Sequence, residues 1–194
     1  MSDWVIVVPV KGTAGSKSRM DASAEFALAI ALDTVEVALA VAHVIVVTHP
    51  AAAADFVALG ARVVDDPGAG LNAAIAAGLE SVGPESATAT AVLLGDHPAL
   101  NSTELREALT AASRVPRALV ADADGTGSAL TTALYGVEHR LAFGTGSRQA
   151  HVAAGYRELE GEWRGLRRDV DVAADLEGLD LGPRTRRALE KLTP

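Results

Sequence analysis

An unbroken apolar run, Trp4–Val10, constrains this chain more than any other feature. A strand with one wet face alternates apolar and polar residues, whereas an uninterrupted run suits a strand covered on both faces. Comparable runs return at His43–Thr48, Ala61–Val64, Thr90–Leu94 and Arg117–Ala121. Between them lie segments of helical character, Ala22–Ala42, Ala51–Leu59, Leu71–Ser81 and Ser102–Ser113. This alternation predicts an α/β fold with a mainly parallel central sheet flanked by helices and right-handed crossovers. After Asp122 the pattern loosens. Ser128–Tyr135, Tyr156–Leu159 and Arg168–Val172 are expected as strands, and Ser147–Ala154, Ala173–Leu179 and Pro183–Leu192 as helices. The second half reads as an extension of the same sheet, so residues 1–194 are expected to form a single domain, in line with roughly 100–200 residues per domain.

Composition narrows the function. Hydrophobic residues make up 49% of the 194 positions and aromatics only 4%, so the core must be built from Ala, Val and Leu. No apolar stretch reaches the roughly 20 residues that span a bilayer; Phe26–Val47 is interrupted by Asp33, Glu36 and His43. The N-terminus shows no basic segment, apolar run and cleavage site in succession, so a cytoplasmic location is expected. The absence of cysteine removes disulfides, thiolate metal sites and thiol nucleophiles together. A formal charge of −8 argues against nucleic acid as a partner. A small anionic substrate still fits if lysines or a metal ion supply positive charge locally. Asn101-Ser102-Thr103 has the form of a glycosylation sequon but is read as a helix start.

Several segments carry candidate chemistry. The loop Lys11–Arg19 holds Gly12, Gly15, Lys11, Lys17 and Arg19 between a strand and a helix, and reads either as a phosphate cradle or as a solvated basic turn. Its spacing is neither a Walker A loop nor G-x-G-x-x-G. Asp96 follows the fourth strand, at the edge where open α/β sheets bind ligands, and reads as a site carboxylate or a turn cap. His97 is read as an exposed histidine, a general base or incidental. In a strand over Arg168–Val172, Asp169 and Asp171 would share a face, and two such carboxylates need a cation such as Mg²⁺ between them. Asp171 is alternatively the cap of a helix starting near Ala173. Asp122–Ser128 reads as a second acidic site or a turn, and Phe143–Arg148 as an anion-binding turn or, with Ser147, an ordinary helix cap. No Ser-His-Asp order or paired-histidine metal spacing stands out, which disfavours acyl transfer and zinc hydrolysis.

Five motifs in order carry a family resemblance. They are Val8-Pro9-Val10-Lys11 with Lys17-Ser18-Arg19; Gly70-Leu71-Asn72-Ala73-Ala74-Ile75; Gly95-Asp96-His97-Pro98-Ala99-Leu100; Asp124-Gly125-Thr126-Gly127; and Gly165-Leu166-Arg167-Arg168-Asp169-Val170-Asp171. Together they resemble the phosphoenolpyruvate and 2-phospho-L-lactate guanylyltransferases of deazaflavin coenzyme biosynthesis, within the molybdenum-cofactor-type nucleotidyltransferases. The resemblance implies a Rossmann-like nucleotidyltransferase fold of the nucleotide-diphospho-sugar transferase type. It implies Mg²⁺ on Asp96, Asp169 and Asp171, and GTP on Lys11, Lys17, Arg19 and Asn72. It further implies that Ser128, Gly144 and Ser147 hold the phosphorylated acid, and that Lys11, Lys17 and Asp96 act in catalysis. The implied partners are GTP and phosphoenolpyruvate or 2-phospho-L-lactate, with no membrane partner and with a homodimer left open. The alternatives are 3-phosphoglycerate, another nucleotide or acceptor, or a catalytically degenerate GTP-binding protein. This chain departs from the family where His97 replaces a common Leu, Ser128 a frequent Thr and Thr145 a frequent Pro.

Overall fold

The computed structural model describes residues 3–10, 22–83, 88–169, 176 and 178–192. Among them seven strands and seven helices follow one another. They are β1 (Trp4–Pro9), α1 (Ala22–Leu39), β2 (His43–Thr48), α2 (Pro50–Leu59), β3 (Arg62–Asp65), α3 (Leu71–Glu80), β4 (Ala89–Leu93), α4 (Ser102–Ala112), β5 (Arg117–Ala121), β6 (Ser128–Ala133), α5 (Ser147–Ala153), β7 (Arg157–Glu158), α6 (Arg164–Arg167) and α7 (Pro183–Leu192). The strands form one sheet in the order β3-β2-β1-β4-β6-β5-β7. All neighbouring pairs are parallel except those of β6, which runs against both β4 and β5. None of the described helices is long and apolar enough to cross a membrane.

The two-residue period of the strands explains the continuous apolar runs. Ile6, Val8, Val44 and Val46 face α1, α2 and α4, where they meet Val35, Phe56 and Leu105. Val7, Ile45 and Val47 point to the other face and pack on Ala74 of α3. With both faces covered, a polar residue inside β1 would lose its water without gaining a partner. Asn101 does start α4, its side chain accepting from the Glu104 amide at 2.9 Å.

Two expectations need correction. Arg168 and Asp169 lie in no strand, so the same-face argument for Asp169 and Asp171 does not hold at Asp169, and Asp171 itself is outside the described residues. The strand expected over Tyr156–Leu159 is only two residues long, and the one-turn helix α6, not expected at all, precedes Arg168. The helix expected over Ala173–Leu179 falls largely outside the described residues.

Candidate active site

The parallel strands deliver their carboxyl ends to one edge of the sheet. Asp96 follows β4 there, and Asp122 follows β5. Because β6 is reversed, its first residue, Ser128, returns to the same edge. A cavity of about 440 Å³ opens at this edge, lined among others by His97, Asp122, Ser128, Gly144, Ser147 and Asp169. A larger cavity, about 860 Å³, lies at the opposite edge between Trp4, Leu39, Arg62 and Arg106. Size does not mark the site; the smaller cavity is the one that gathers Asp122, Asp169 and the glycine-rich turns at Gly127 and Gly144–Gly146.

Asp169 is placed by α6. Gly165 lies so close to the carbonyl of Ala99 that any side chain would collide with it, which presses α6 onto the loop carrying Asp96. Glu104 accepts from the Leu166 amide at 2.9 Å, Trp163 donates to Glu107 at 3.2 Å, and Arg167 donates to the carbonyls of Ala121 and Leu159. The Arg167 carbonyl accepts from Ala123, next to Asp122. Burial pushes the Asp169 carboxyl pKa up, and the neighbouring Asp96 charge pushes it further.

Asp96 and His97 sit in an unusual contact. One oxygen of the half-exposed Asp96 carboxylate is buried without a hydrogen-bond partner, 3.7 Å from His97 Nε2, which also lacks one. His97 is fully buried, its Nδ1 3.4 Å from the Arg168 carbonyl, so the expectation of an exposed histidine is corrected. An orphaned carboxylate oxygen beside a second carboxylate whose ionisation is resisted could hold a divalent, oxygen-seeking cation. Among the described residues no three His, Asp or Glu side chains close a cage.

The opposite wall is built of turns. Asp122 caps the β5–β6 loop, accepting from Thr126 at 2.9 Å and Gly127 at 2.6 Å, so the segment is a turn whose capping carboxylate also borders the cleft. A side chain at Gly127 would strike that carboxylate. Arg148 pins the same loop through the Gly125 carbonyl and pairs with Glu158 at 2.9 Å. Gly146, at φ 72°, is the cap residue of α5, and Ser147 is the first residue of that helix. The reading of Ser147 as an ordinary cap is thereby corrected; it is buried at the cavity wall.

Asn72, at the start of α3, donates to the Phe143 carbonyl at 2.9 Å and accepts from the Phe143 amide at 3.0 Å. Both ends of its amide are thus spent on the loop that carries Gly144. His151, not singled out from the sequence, joins Ser128 Oγ at 2.9 Å and the Ala142 amide at 3.1 Å. A lone histidine on a short helix has no spacing signal that could have found it. Lys11, Lys17, Arg19 and Asp171 lie outside the described residues.

The sequence profile described as the MobA-like NTP transferase domain matches residues 13–172, most of the chain. The chain belongs to this family. Among the curated relatives of this nucleotidyltransferase, the phosphoenolpyruvate guanylyltransferase of Geodermatophilus obscurus is 46% identical, covering 94% of this chain and 92% of the relative. That of Streptomyces coelicolor is 44% identical, covering 97% of each. A protein from Desulfovibrio desulfuricans G20 bearing the name nucleotide-diphospho-sugar transferase superposes with a TM-score of 0.69 at 14% identity, covering 98% of this chain and 95% of that one. At that identity the likeness is one of fold, and it is the fold type that the motifs implied for this nucleotidyltransferase.

Proposed function

We propose that this chain transfers GMP from GTP to phosphoenolpyruvate and releases pyrophosphate, as a cytoplasmic enzyme of deazaflavin coenzyme biosynthesis. The observation that carries the reading is one cleft with two unlike walls. Asp169 lines it just past α6, with the Asp96 charge close enough to raise its pKa, and the turns carrying Ser128, Gly144 and Ser147 line the same space. The named activity of relatives 44–46% identical over nearly their whole length supports the choice of nucleotide and acid.

Asp96 and Asp169, with Asp171, would hold Mg²⁺, which neutralises phosphate charge when bound. Ser128, Ser147 and the turn at Gly144–Gly146 hold the carboxylate and phosphate of the acid. Lys11, Lys17 and Arg19 hold the triphosphate and take up the charge that develops on the leaving group. Asn72 contributes by fixing Phe143, so that the acid-binding turn meets the nucleotide at a set distance. An oxygen of the acceptor phosphate bonds to the α-phosphorus of GTP, the bond from that phosphorus to the β-bridging oxygen breaks, and pyrophosphate departs with its electron pair. The acceptor phosphate is already ionised near neutral pH, so no protein base is required.

The test is a matrix of GTP, ATP, CTP and UTP against phosphoenolpyruvate, 2-phospho-L-lactate and 3-phosphoglycerate, read by pyrophosphate release and product mass. GTP with phosphoenolpyruvate is expected to give the highest kcat/KM. Preference for another nucleotide or acid overturns the assignment, and GTP binding without turnover on any acid overturns the enzymatic reading.

A further inference from the structure

Ser128 and His151 are both buried, and which of them donates in their 2.9 Å hydrogen bond is settled at the far side of the ring. His151 Nε2 lies 3.1 Å from the Ala142 amide nitrogen. An amide N–H only donates, so Nε2 presents its lone pair. Burial holds the ring pKa below its ordinary value, which keeps the imidazole neutral with its one proton on Nδ1. Nδ1–H therefore donates, and Ser128 Oγ accepts.

The single hydroxyl proton of Ser128 consequently cannot go to His151. Among the described residues Ser128 Oγ has no other hydrogen-bond partner, and Ser128 lines the cleft. The ring itself is held still, with Phe143 edge-on at 4.8 Å and Tyr156 at 5.1 Å. We propose that His151 is a positioning residue that makes Ser128 an obligate hydrogen-bond donor toward the cleft, so that this corner takes an oxyanion, a carboxylate or phosphate oxygen of the acceptor acid. The same ring, through Ala142, sets the position of the loop that carries Gly144. This inference rests on the reading of the Ser128 wall as the acid subsite.

Two substitutions separate the ring's two edges. His151→Gln keeps an acceptor near Nε2 for the Ala142 amide and removes the donor to Ser128. His151→Asn keeps a donor near Nδ1. With GTP saturating, His151→Gln is expected to raise KM for phosphoenolpyruvate on the order of tenfold, the scale of one lost charge-assisted hydrogen bond. KM for GTP stays within about twofold, because one wall of the cleft is affected. His151→Asn recovers most of the loss. Ser128→Ala raises KM for the acid similarly, and adding His151→Gln to it brings no further loss. ¹⁵N NMR of histidine-labelled protein, which needs no turnover, is expected to show His151 as the neutral Nδ1–H tautomer.

An Nε2–H tautomer overturns the proposal whatever the activity. So do additive losses in the double variant, or equal losses in His151→Gln and His151→Asn with Tm lowered in both. An Nδ1–H tautomer together with an unchanged KM in Ser128→Ala instead overturns the assignment of the acid subsite.

Discussion

Asp169 is held where its negative charge is least welcome, half-buried and facing Asp96. A carboxyl whose folded pKa is raised contributes stability that is lost as pH rises through that pKa, so at neutral pH the ionised group works against the metal-free fold. Asp169→Asn removes the charge at nearly constant shape. The variant is expected to melt about 1–3 °C above the parent in EDTA while transfer falls at least about 100-fold. Scanning fluorimetry with EDTA and then with Mg²⁺ checks both halves: the cation should stabilise the parent and leave the variant nearly unmoved. A variant that melts lower in EDTA would show that the two carboxylates do not strain the fold. At this scale the sequence exposed some residues and hid others. Asp96 is legible because it follows a buried strand. Asp169 stands out in the sequence through a strand geometry that the structure does not have; what places it is the packing of Gly165 against Ala99, a long-range contact with no local signature. His151 is hidden for the same reason, since it acts through partners distant in sequence, whereas both readings of Asp122, acidic site and turn, are local and legible.

Helices here do more than cover the sheet. Asp33, buried in the middle of α1, caps the start of α7 by accepting from the Thr185 amide at 2.7 Å and its hydroxyl at 2.8 Å. Arg184 bridges Asp33 and Glu36 above it. Just before α7, Gly182 donates to the Pro98 carbonyl, two residues past Asp96. Asp33→Ala therefore releases a helix that braces the acidic loop. The expected cost is about 2 kcal/mol, roughly 4–8 °C in Tm, from the lost cap and buried hydrogen bonds. A several-fold drop in kcat should accompany it, read from urea melts and steady-state rates. The alanine content of α1 made it legible as a helix, and α7 matches its expected bounds. Periodicity could not reveal α6, because four residues make one turn and one of them is a glycine.

For the whole molecule, one histidine sets an acid limit. His139 donates or accepts at Thr90 of β4 and at the Tyr156 hydroxyl, and burial lowers its pKa from the ordinary 6.5 to about 4. Between those values the unfolded chain takes up a proton that the folded chain refuses. Stability is therefore undiminished above about pH 6.5 and declines as pH falls toward 4, by up to about 3 kcal/mol. Urea titrations at pH 7, 5.5 and 4.5 are expected to show this slope, and His139→Gln should reduce it, leaving the smaller part of the same sign that His151 contributes. A parent with equal stability at pH 7 and 4.5 would refute the assignment. The sheet as a whole was legible as mainly parallel; the reversal of β6 was not, because Ser128–Ala133 is buried throughout and a buried strand reads alike in either direction.

That reversal shapes the order in which the chain can assemble. β5 and β6 are joined by a short loop and pair antiparallel, whereas β1 meets β4 only after α1, β2, α2, β3 and α3 have been drawn in. Closing a short hairpin takes on the order of microseconds, while distant parallel pairing must first overcome the entropy of a long loop. The β5–β6 hairpin should therefore gain protected amides before β1 has met β4. Pulse-labelled hydrogen exchange during refolding would find Val120 and Leu130, which face each other across the hairpin, protected ahead of Ile6 and Ala91.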